Sequence, residues 1–580
     1  MTEHAYNERR LAWAALLALL IWFVFLLGMR PLNVPDEGRY AEVAREMLIT
    51  GDYITPRVNG VVFLDKPPLY YWISSFSLRV FGVHEWSIRL VSALFGLVGC
   101  GLTFVVSRRV FGARAAWLSV AVLASSPLYF LASQYADMNL TVAVLITAAL
   151  SCFLLGTLHP WGDPRRRYLM WLAYLSAALA TLTKGLIGIV FPMAVIGLWI
   201  LLRRDWKLIA QMYLPSGMAI YLVVTIPWFA LAQRANPDFL HFFFVYQHFS
   251  RFSGSGYNNP NPVWFYLPVV LMGMFPWTFA VGHAFARSLG AVRRSPQQEG
   301  ATIYLLIWVL FVLGFFSIPQ SKIVGYILPL VPPLAVLTGA LLASLLEDHA
   351  AQRSARVHLF LYSALATVFG IGMFVAASHL PRKIADISGI GREAIRIGSF
   401  LLTSALAVAA VAQLRRLRLA WGGMLVSGFV LVMAVVHVVG KISPHSIKPL
   451  ALELRTMIRP EDVVATYQEY YQDLPVYLGQ IRPIVVVAEL PESSSQTRDN
   501  WKREFRLGLE QDPRAQAWIV RDDWLERAAR AERRLFVVGP THLSEELRAR
   551  YRLYLVKTHG DTTLFSNRQV PLAESPELTK

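Results

Sequence analysis

Leu169 to Leu202 reads LMWLAYLSAALATLTKGLIGIVFPMAVIGLWILL, an apolar stretch broken at Lys184-Gly185. It is longer than the ~20 residues that one bilayer crossing needs. Arg165, Arg166 and Arg167 precede it, and Arg203 and Arg204 follow it. As a single helix it would place these arginines on opposite faces of a membrane. As two helices turning at Lys184-Gly185 it keeps them on one face, as the excess of cations in cytoplasmic loops requires. The hairpin is the reading adopted, and it puts a lysine at the outer tip.

Working outward from that hairpin, apolar runs begin near residues 11, 88, 115, 138, 169, 186, 208, 263, 302, 323, 357, 396 and 420. They predict a polytopic α-helical membrane protein of about thirteen spans. Arg9 and Arg10 precede the first run. Arg108, Arg109 and Arg114, then Arg287, Arg293 and Arg294, then Arg353 and Arg356, then Arg415, Arg416 and Arg418 fall between later runs. With this count all of them share the cytoplasmic side with the N-terminus, and the C-terminus lies outside. Leu11 to Met29 is too long for a signal-peptide core and lacks a small-residue cleavage site, so it reads as the first span.

Composition agrees. Charged residues make up 16% of the chain, against about a quarter in soluble domains, and mean hydropathy is +0.44. The net charge of +17 sits in short loops between apolar runs. Topology and anionic lipid account for it, and nucleic acid is excluded as a partner. Cys100 and Cys152 lie inside apolar runs and read as packing residues. His84, His241, His248 and His283 show no ligand spacing.

The division predicted is a membrane part over residues 1–440 and an outer domain over 441–580. In the latter, short β-rich runs (Val463 to Tyr467, Ile484 to Val487, Ala517 to Val520, Leu535 to Val538, Leu553 to Val556) alternate with helical segments such as Trp524 to Glu532 and Ser544 to Arg550. This is the pattern of a small α/β domain. It carries no phosphate-binding glycine loop, and reads as a lid or scaffold.

Polar chemistry collects in the outer loops. The first, residues 30–87, opens with Val34-Pro35-Asp36-Glu37-Gly38-Arg39-Tyr40. Pro35 stops the preceding span, and Asp36 is placed to cap a helix running to about Ile49. The apolar face of that helix (Tyr40, Val43, Ala44, Met47, Leu48) predicts that it lies on the membrane surface. Arg57 follows, then Asp65-Lys66-Pro67-Pro68, in which a lysine at the membrane boundary suits a lipid phosphate. Asp137, in Ser133-Gln134-Tyr135-Ala136-Asp137-Met138-Asn139-Leu140, stands at the outer turn between two spans, where a carboxylate is costly unless partnered or facing a cavity. His248 and Arg251 lie in another aromatic-rich outer loop, and Lys184, Lys322 and Tyr326 at outer span ends. Carboxylates, cations and aromatics at one boundary suit a ligand that is anionic, part lipid and part sugar.

Asp36-Glu37-Gly38-Arg39-Tyr40, Gly51-Asp52-Tyr53, Asp65-Lys66-Pro67, Thr183-Lys184-Gly185, His248-Phe249-Ser250-Arg251-Phe252 and the run from Lys322 to Pro329 resemble the lipid A aminoarabinose transferases. That family is related to the protein O-mannosyltransferases. The resemblance runs through roughly residues 10–345. Asp65 stands where family members often carry glutamate, and little matches beyond about residue 345.

The resemblance implies a GT-C glycosyltransferase fold with interfacial helices in the first outer loop and a periplasmic C-terminal domain, in the bacterial inner membrane. It implies transfer of 4-amino-4-deoxy-L-arabinose from undecaprenyl phosphate to a lipid A phosphate, which confers resistance to cationic peptides such as polymyxin. By motif, Asp36 and Asp137 match the family's two outer-loop acidic positions. Lys66, Arg251 and Tyr326 match positions that hold the donor phosphate. Glu37, Arg39, Arg57, Asp65, Lys184, His248 and Lys322 are further cavity candidates. The reaction read from these residues is an inverting displacement without nucleotide or required cofactor, a bound divalent metal staying an alternative. Two other readings stay open: a transferase acting on protein or another glycan, and a lipid flippase without chemistry.

Overall fold

The computed structural model describes residues 3–250, 259–295, 297, 299–347, 351–379, 389–441, 446–493 and 500–570. The chain turns where Lys184-Gly185 interrupts the apolar run. Helix Pro164–Lys184 ends at Gly185, whose φ is +85°, and Ile187–Arg203 folds back beside it. Gly188 makes the return tight: a Cβ there would lie 2.3 Å from the Thr181 backbone nitrogen, so only glycine fits.

Among the described residues eight helices are each long and apolar enough to cross a membrane, or ten if each bent pair counts as one span. Ala113–Ser125 with Pro127–Ser133 bends by 65°, and Val263–Gly273 with Thr278–Arg294 by 114°. Ala12–Val24 and Ile187–Arg203 are shorter apolar helices. The protein is a polytopic membrane protein. Helices Met138–Thr157 and Val324–Glu347 form its centre, with 83% and 89% of their apolar windows buried. The last three, Gln352–His379, Ile390–Gln413 and Leu417–Lys441, bury only 28% each and turn large apolar side chains such as Leu406 outward. Such an exposed apolar belt is stable only in lipid.

Two of the arginine-bearing segments meet the end of helix Val324–Glu347. Arg114 pairs with Glu347 (2.6 Å) and Arg287 donates to Ser344. At the other end the first long loop folds into helix Asp36–Thr50, a hairpin of β1 (Arg57–Val58) and β2 (Val61–Val62), and helix Leu69–Phe81. Asn59 and Gly60, both with positive φ, make the two-residue turn that suits such a hairpin.

Beyond the membrane helices a six-stranded sheet runs in the order β5-β4-β3-β6-β8-β7. Its strands are β3 (Val463–Tyr467), β4 (Val485–Val487), β5 (Ile519–Val520), β6 (Leu535–Pro540), β7 (Tyr554–His559) and β8 (Thr562–Ser566). The first four are parallel, and β8 pairs antiparallel with both β6 and β7. The chain leaves β3 towards β4 and β5 and returns to its other side at β6. The crevice beyond the carboxyl ends at such a reversal is where open α/β sheets take ligands. Here the segment leaving β3 packs on helix Asp36–Thr50 instead. Tyr470 shares a buried cluster with Val43 and Met47, and Gly38 lies against the Asp473 backbone so closely that a Cβ would come within 2.8 Å of its nitrogen.

That packing corrects the first-loop helix. Its apolar face, expected on the membrane surface, is buried between helix Leu69–Phe81 and the sheet unit. The polar face is covered too: Glu42, Arg45 and Glu46 are buried. Arg45 holds both Glu42 oxygens at 2.7 Å and reaches the Gln480 carbonyl. Glu46 accepts from Gly60 N, and burial and Glu42 push its carboxyl up. Asp36 is not the cap either. Pro35 holds that position, without a side-chain bond, and Asp36 begins the helix.

Candidate active site

The outer site is organised by a carboxylate that does not face it. Glu37 is fully buried and accepts from two arginines at two points each. Arg30 donates at 2.6 and 3.1 Å, and Arg89 at 2.8 and 2.9 Å. The backbone nitrogens of Asn33 and Ala136 add bonds of 2.8 and 2.9 Å. The arginines spend their other donors on the carbonyls of Leu27, Arg30, Pro31 and Gln134. Burial alone would raise the Glu37 carboxyl, but Arg89 and Arg30 outweigh it and hold it down at about 2. Glu37, expected as a cavity residue, is therefore a sealed structural anion. It ties the end of the first membrane helix, helix Glu85–Phe111 and the turn before Asp137 to the start of helix Asp36–Thr50. Asp36 and Asp137 flank its two attachment points.

Asp36 is half-exposed, with Arg39 at 4.0 Å. Arg39 also pairs with Glu504 of the sheet unit (3.0 Å), lies over the Phe63 ring, and feels the charge of Asp65. Tyr40 stands between the two sequence-predicted carboxylates, within electrostatic reach of both Asp36 and Asp137. Its ring packs against Tyr70 and Tyr71. Lys66 donates to the Asp65 carbonyl (3.0 Å), and Asp65 acts on both Arg39 and Tyr71.

Asp137 caps helix Met138–Thr157, accepting from Asn139 N at 2.7 Å and from the Asn139 amide at 2.5 Å. The same amide accepts from Lys184, at the tip of the hairpin. Lys184 lies 4.3 Å from the centre of the Tyr326 ring. A chain thus runs from Asp137 through Asn139 to Lys184 and Tyr326. Gly325 keeps room for it: a Cβ there would meet the Asn139 amide at 3.0 Å. Burial pushes the Asp137 carboxyl up, Lys184 and Asn139 oppose this, Asp36 adds to it, and the net shift is upward.

The structure thus brings Asp36, Arg39, Asp65, Lys66, Asp137, Lys184 and Tyr326 to one boundary. Two other candidates are engaged by the fold. Arg57 bonds to Asp512 (3.0 Å) and the Gly60 carbonyl, tying the hairpin to the sheet unit. Lys322 is buried and donates to the carbonyls of Asn261 and Pro319, clasping two loops together. Both spend their charge on fold contacts. Arg251 lies outside the described residues, and so does the side chain of His248.

The sequence reading missed Arg30, Arg89, Asn139 and Glu504. Arg89 had a signal, since an arginine inside an apolar run demands a partner. Glu504 had none, because its partner is remote in sequence. Among the described residues no group of three or more His, Cys, Asp or Glu could hold a metal ion.

Comparison with known proteins bears out the resemblance drawn from the motifs. Residues 65–230 match the family described as dolichyl-phosphate-mannose-protein mannosyltransferase. The undecaprenyl phosphate-alpha-4-amino-4-deoxy-L-arabinose arabinosyl transferase of Shewanella sediminis is 32% identical over 334 residues, covering 58% of this chain and 60% of that protein. The protein of the same name from Aeromonas salmonicida is 31% identical over 351 residues, covering 60% and 63%. The match thus spans about three fifths of these relatives' length. The crystal structure of ArnT from Cupriavidus metallidurans bound to undecaprenyl phosphate superposes with a TM-score of 0.83 at 27% identity, covering 96% of this chain and 98% of that one. The fold is the GT-C fold.

Proposed function

We propose that this chain transfers 4-amino-4-deoxy-L-arabinose from undecaprenyl phosphate to a lipid A phosphate on the periplasmic face of the bacterial inner membrane. The observation that carries the reading is the convergence of Asp36, Asp137, Lys66, Lys184 and Tyr326 at one boundary of a GT-C fold. Relatives that carry this donor in their names support the sugar and its lipid carrier. Orientation rests on the arginine loops, which collect at the opposite end and mark it as cytoplasmic. Residues 1–440 then form the membrane part of about thirteen spans, and the sheet unit within 441–580 is periplasmic.

In this reading the bond between the anomeric carbon and the donor phosphate oxygen breaks as an acceptor phosphate oxygen attacks from the opposite face. Configuration inverts, and the electron pair of the broken bond leaves on undecaprenyl phosphate. Lys66 and Arg251 meet that charge, and the Tyr326 hydroxyl donates to it. Lys184, beside Tyr326, adds a third cation. An ionised lipid A phosphate has no proton to lose, so no general base is required. Asp36 and Asp137 are then free to hold the sugar, and a pair of carboxylates matches its 4-ammonium group. The match to a protein mannosyltransferase family favours one competing acceptor, a protein hydroxyl. That acceptor does need a base, and Asp36, the half-exposed carboxylate, would supply it.

Mass spectrometry of lipid A from cells with and without the protein decides between them. Aminoarabinose-bearing lipid A that disappears with the protein is the expected result. An unchanged lipid A profile together with loss of a protein-linked sugar would replace the acceptor.

A further inference from the structure

A second lipid-facing feature lies away from the carboxylates. Between the end of the first helix and helices Ile390–Gln413 and Leu417–Lys441 is a cleft of about 450 Å³. Phe25, Met29, Phe400 and Met433 form its apolar walls. Its walls include two of the last three membrane helices, each only 28% buried. Within a bilayer the apolar part of such a space is filled by lipid chains, because Phe25, Met29, Phe400 and Met433 offer water no partners.

One end of the cleft is charged. Glu393 is mostly buried there and accepts from Lys441 at 2.6 Å and Arg396 at 2.8 Å, both on the same oxygen. His437 lies 3.9 Å from that oxygen. One carboxylate therefore answers two fixed cations, and a net positive charge remains at the mouth of an apolar slot. Arg396 pairs through one nitrogen while its side chain stays 69% exposed, so its remaining donors face outward. A cation pair over an apolar slot matches one ligand chemistry: an acyl chain joined to a phosphate.

We propose that this cleft is a binding site for an anionic phospholipid of the surrounding leaflet. One acyl chain lies between Phe25 and Met433, and the phosphate is held by Arg396 and Lys441. One contact links the cleft to the other site: Gly440, next to Lys441, packs on Arg30, where a Cβ would come within 3.2 Å of the Arg30 Cβ. Arg30 is one of the two arginines on Glu37. A lipid seated here braces the element that carries Asp36. The proposal does not depend on which sugar or acceptor is used.

The test uses the full chain in nanodiscs of phosphatidylglycerol mixed with phosphatidylcholine, followed by release into detergent and native mass spectrometry of the retained lipid. Wild type is expected to retain phosphatidylglycerol in preference to phosphatidylcholine. The double variant Arg396→Ala/Lys441→Ala is expected to lose about tenfold or more of that preference. Equal retention of the two lipids by wild type, or an unchanged preference in the double variant, overturns the proposal. Ala434→Phe, which fills the cleft and leaves the charges, is expected to lose the bound lipid. It decides the matter if the double variant does not fold, since retention at the wild-type level in Ala434→Phe also overturns it.

Discussion

Two carboxylates, Glu37 and Asp137, stand at the same boundary, and the protein treats them in opposite ways. Glu37 accepts six hydrogen bonds, four from arginines, and is sealed from solvent. The Asp137 carboxylate accepts two bonds from Asn139 and meets its cation through that amide. The first arrangement leaves no lone pair for a ligand. The second leaves a carboxylate, a lysine and a tyrosine in a row whose hydrogen bonds a substrate can replace. Counting fixed partners separates a structural charge from a chemical one where charge, depth and sequence position do not.

The largest effect expected is on the sealed cluster. Arg89→Ala leaves Glu37 buried with half its arginine contacts, and breaking such a pair costs about 3–5 kcal/mol. The variant should be recovered poorly, with a Tm far below wild type. A Tm within a degree or two would show that Glu37 is not the anchor. Asp137→Asn and Lys184→Ala should do the reverse. Each is expected to lower transfer about a hundredfold, the scale seen when one fixed electrostatic partner is removed from a transition state, with Tm little changed. Full activity in either would take that row out of the site.

Asp473, where the sheet unit meets Gly38, supplies a pH test of how the two parts hold together. Burial pushes its carboxyl up to about 7, against opposing bonds from nearby backbone and Ser446. The folded protein therefore keeps a proton that the unfolded chain loses from about pH 4 upward. Stability falls as pH rises through that window and levels off above about 7. Tm should be higher at pH 5.5 than at pH 8, and Asp473→Asn should flatten that part of the profile. The smallest effect is expected at Glu504, which pairs with Arg39 across the same junction. Glu504→Gln should lower transfer severalfold, and a double-mutant cycle with Arg39→Gln should show coupling of about 1–3 kcal/mol. Additive losses would mean that the sheet unit does not reach the site.

Legibility in the sequence followed the range of each interaction. The hairpin at Lys184-Gly185 was readable because charge and hydropathy along the chain decide it. Strands β3, β4, β5, β6 and β7 were readable from local β-rich runs. Strand β8 was missed although Gly560-Asp561 marks a two-residue turn before it. The β1–β2 hairpin was missed because two-residue strands carry no period. Asp36, Asp137, Lys66 and Tyr326 came from motifs, which carry identity but not surroundings. Arg57 and Lys322 carry the same charge as Lys66 and Lys184, yet their partners, Asp512 and the Asn261 carbonyl, are remote from them in the chain.

By itself the sequence determined that this chain crosses a membrane many times, where one apolar run turns back, and which carboxylates and cations are candidates for a site. Hydropathy and the arginine pattern are sums over neighbouring residues, and bilayer physics acts on those sums directly. Only the tertiary structure decided which charges are spent on the fold. That depends on partners brought together across distant segments: Glu37 with Arg89, Arg39 with Glu504, Lys184 with Asn139. Whether a charge is locked or available is a property of its burial and its partners, and both are set when the chain has closed around it.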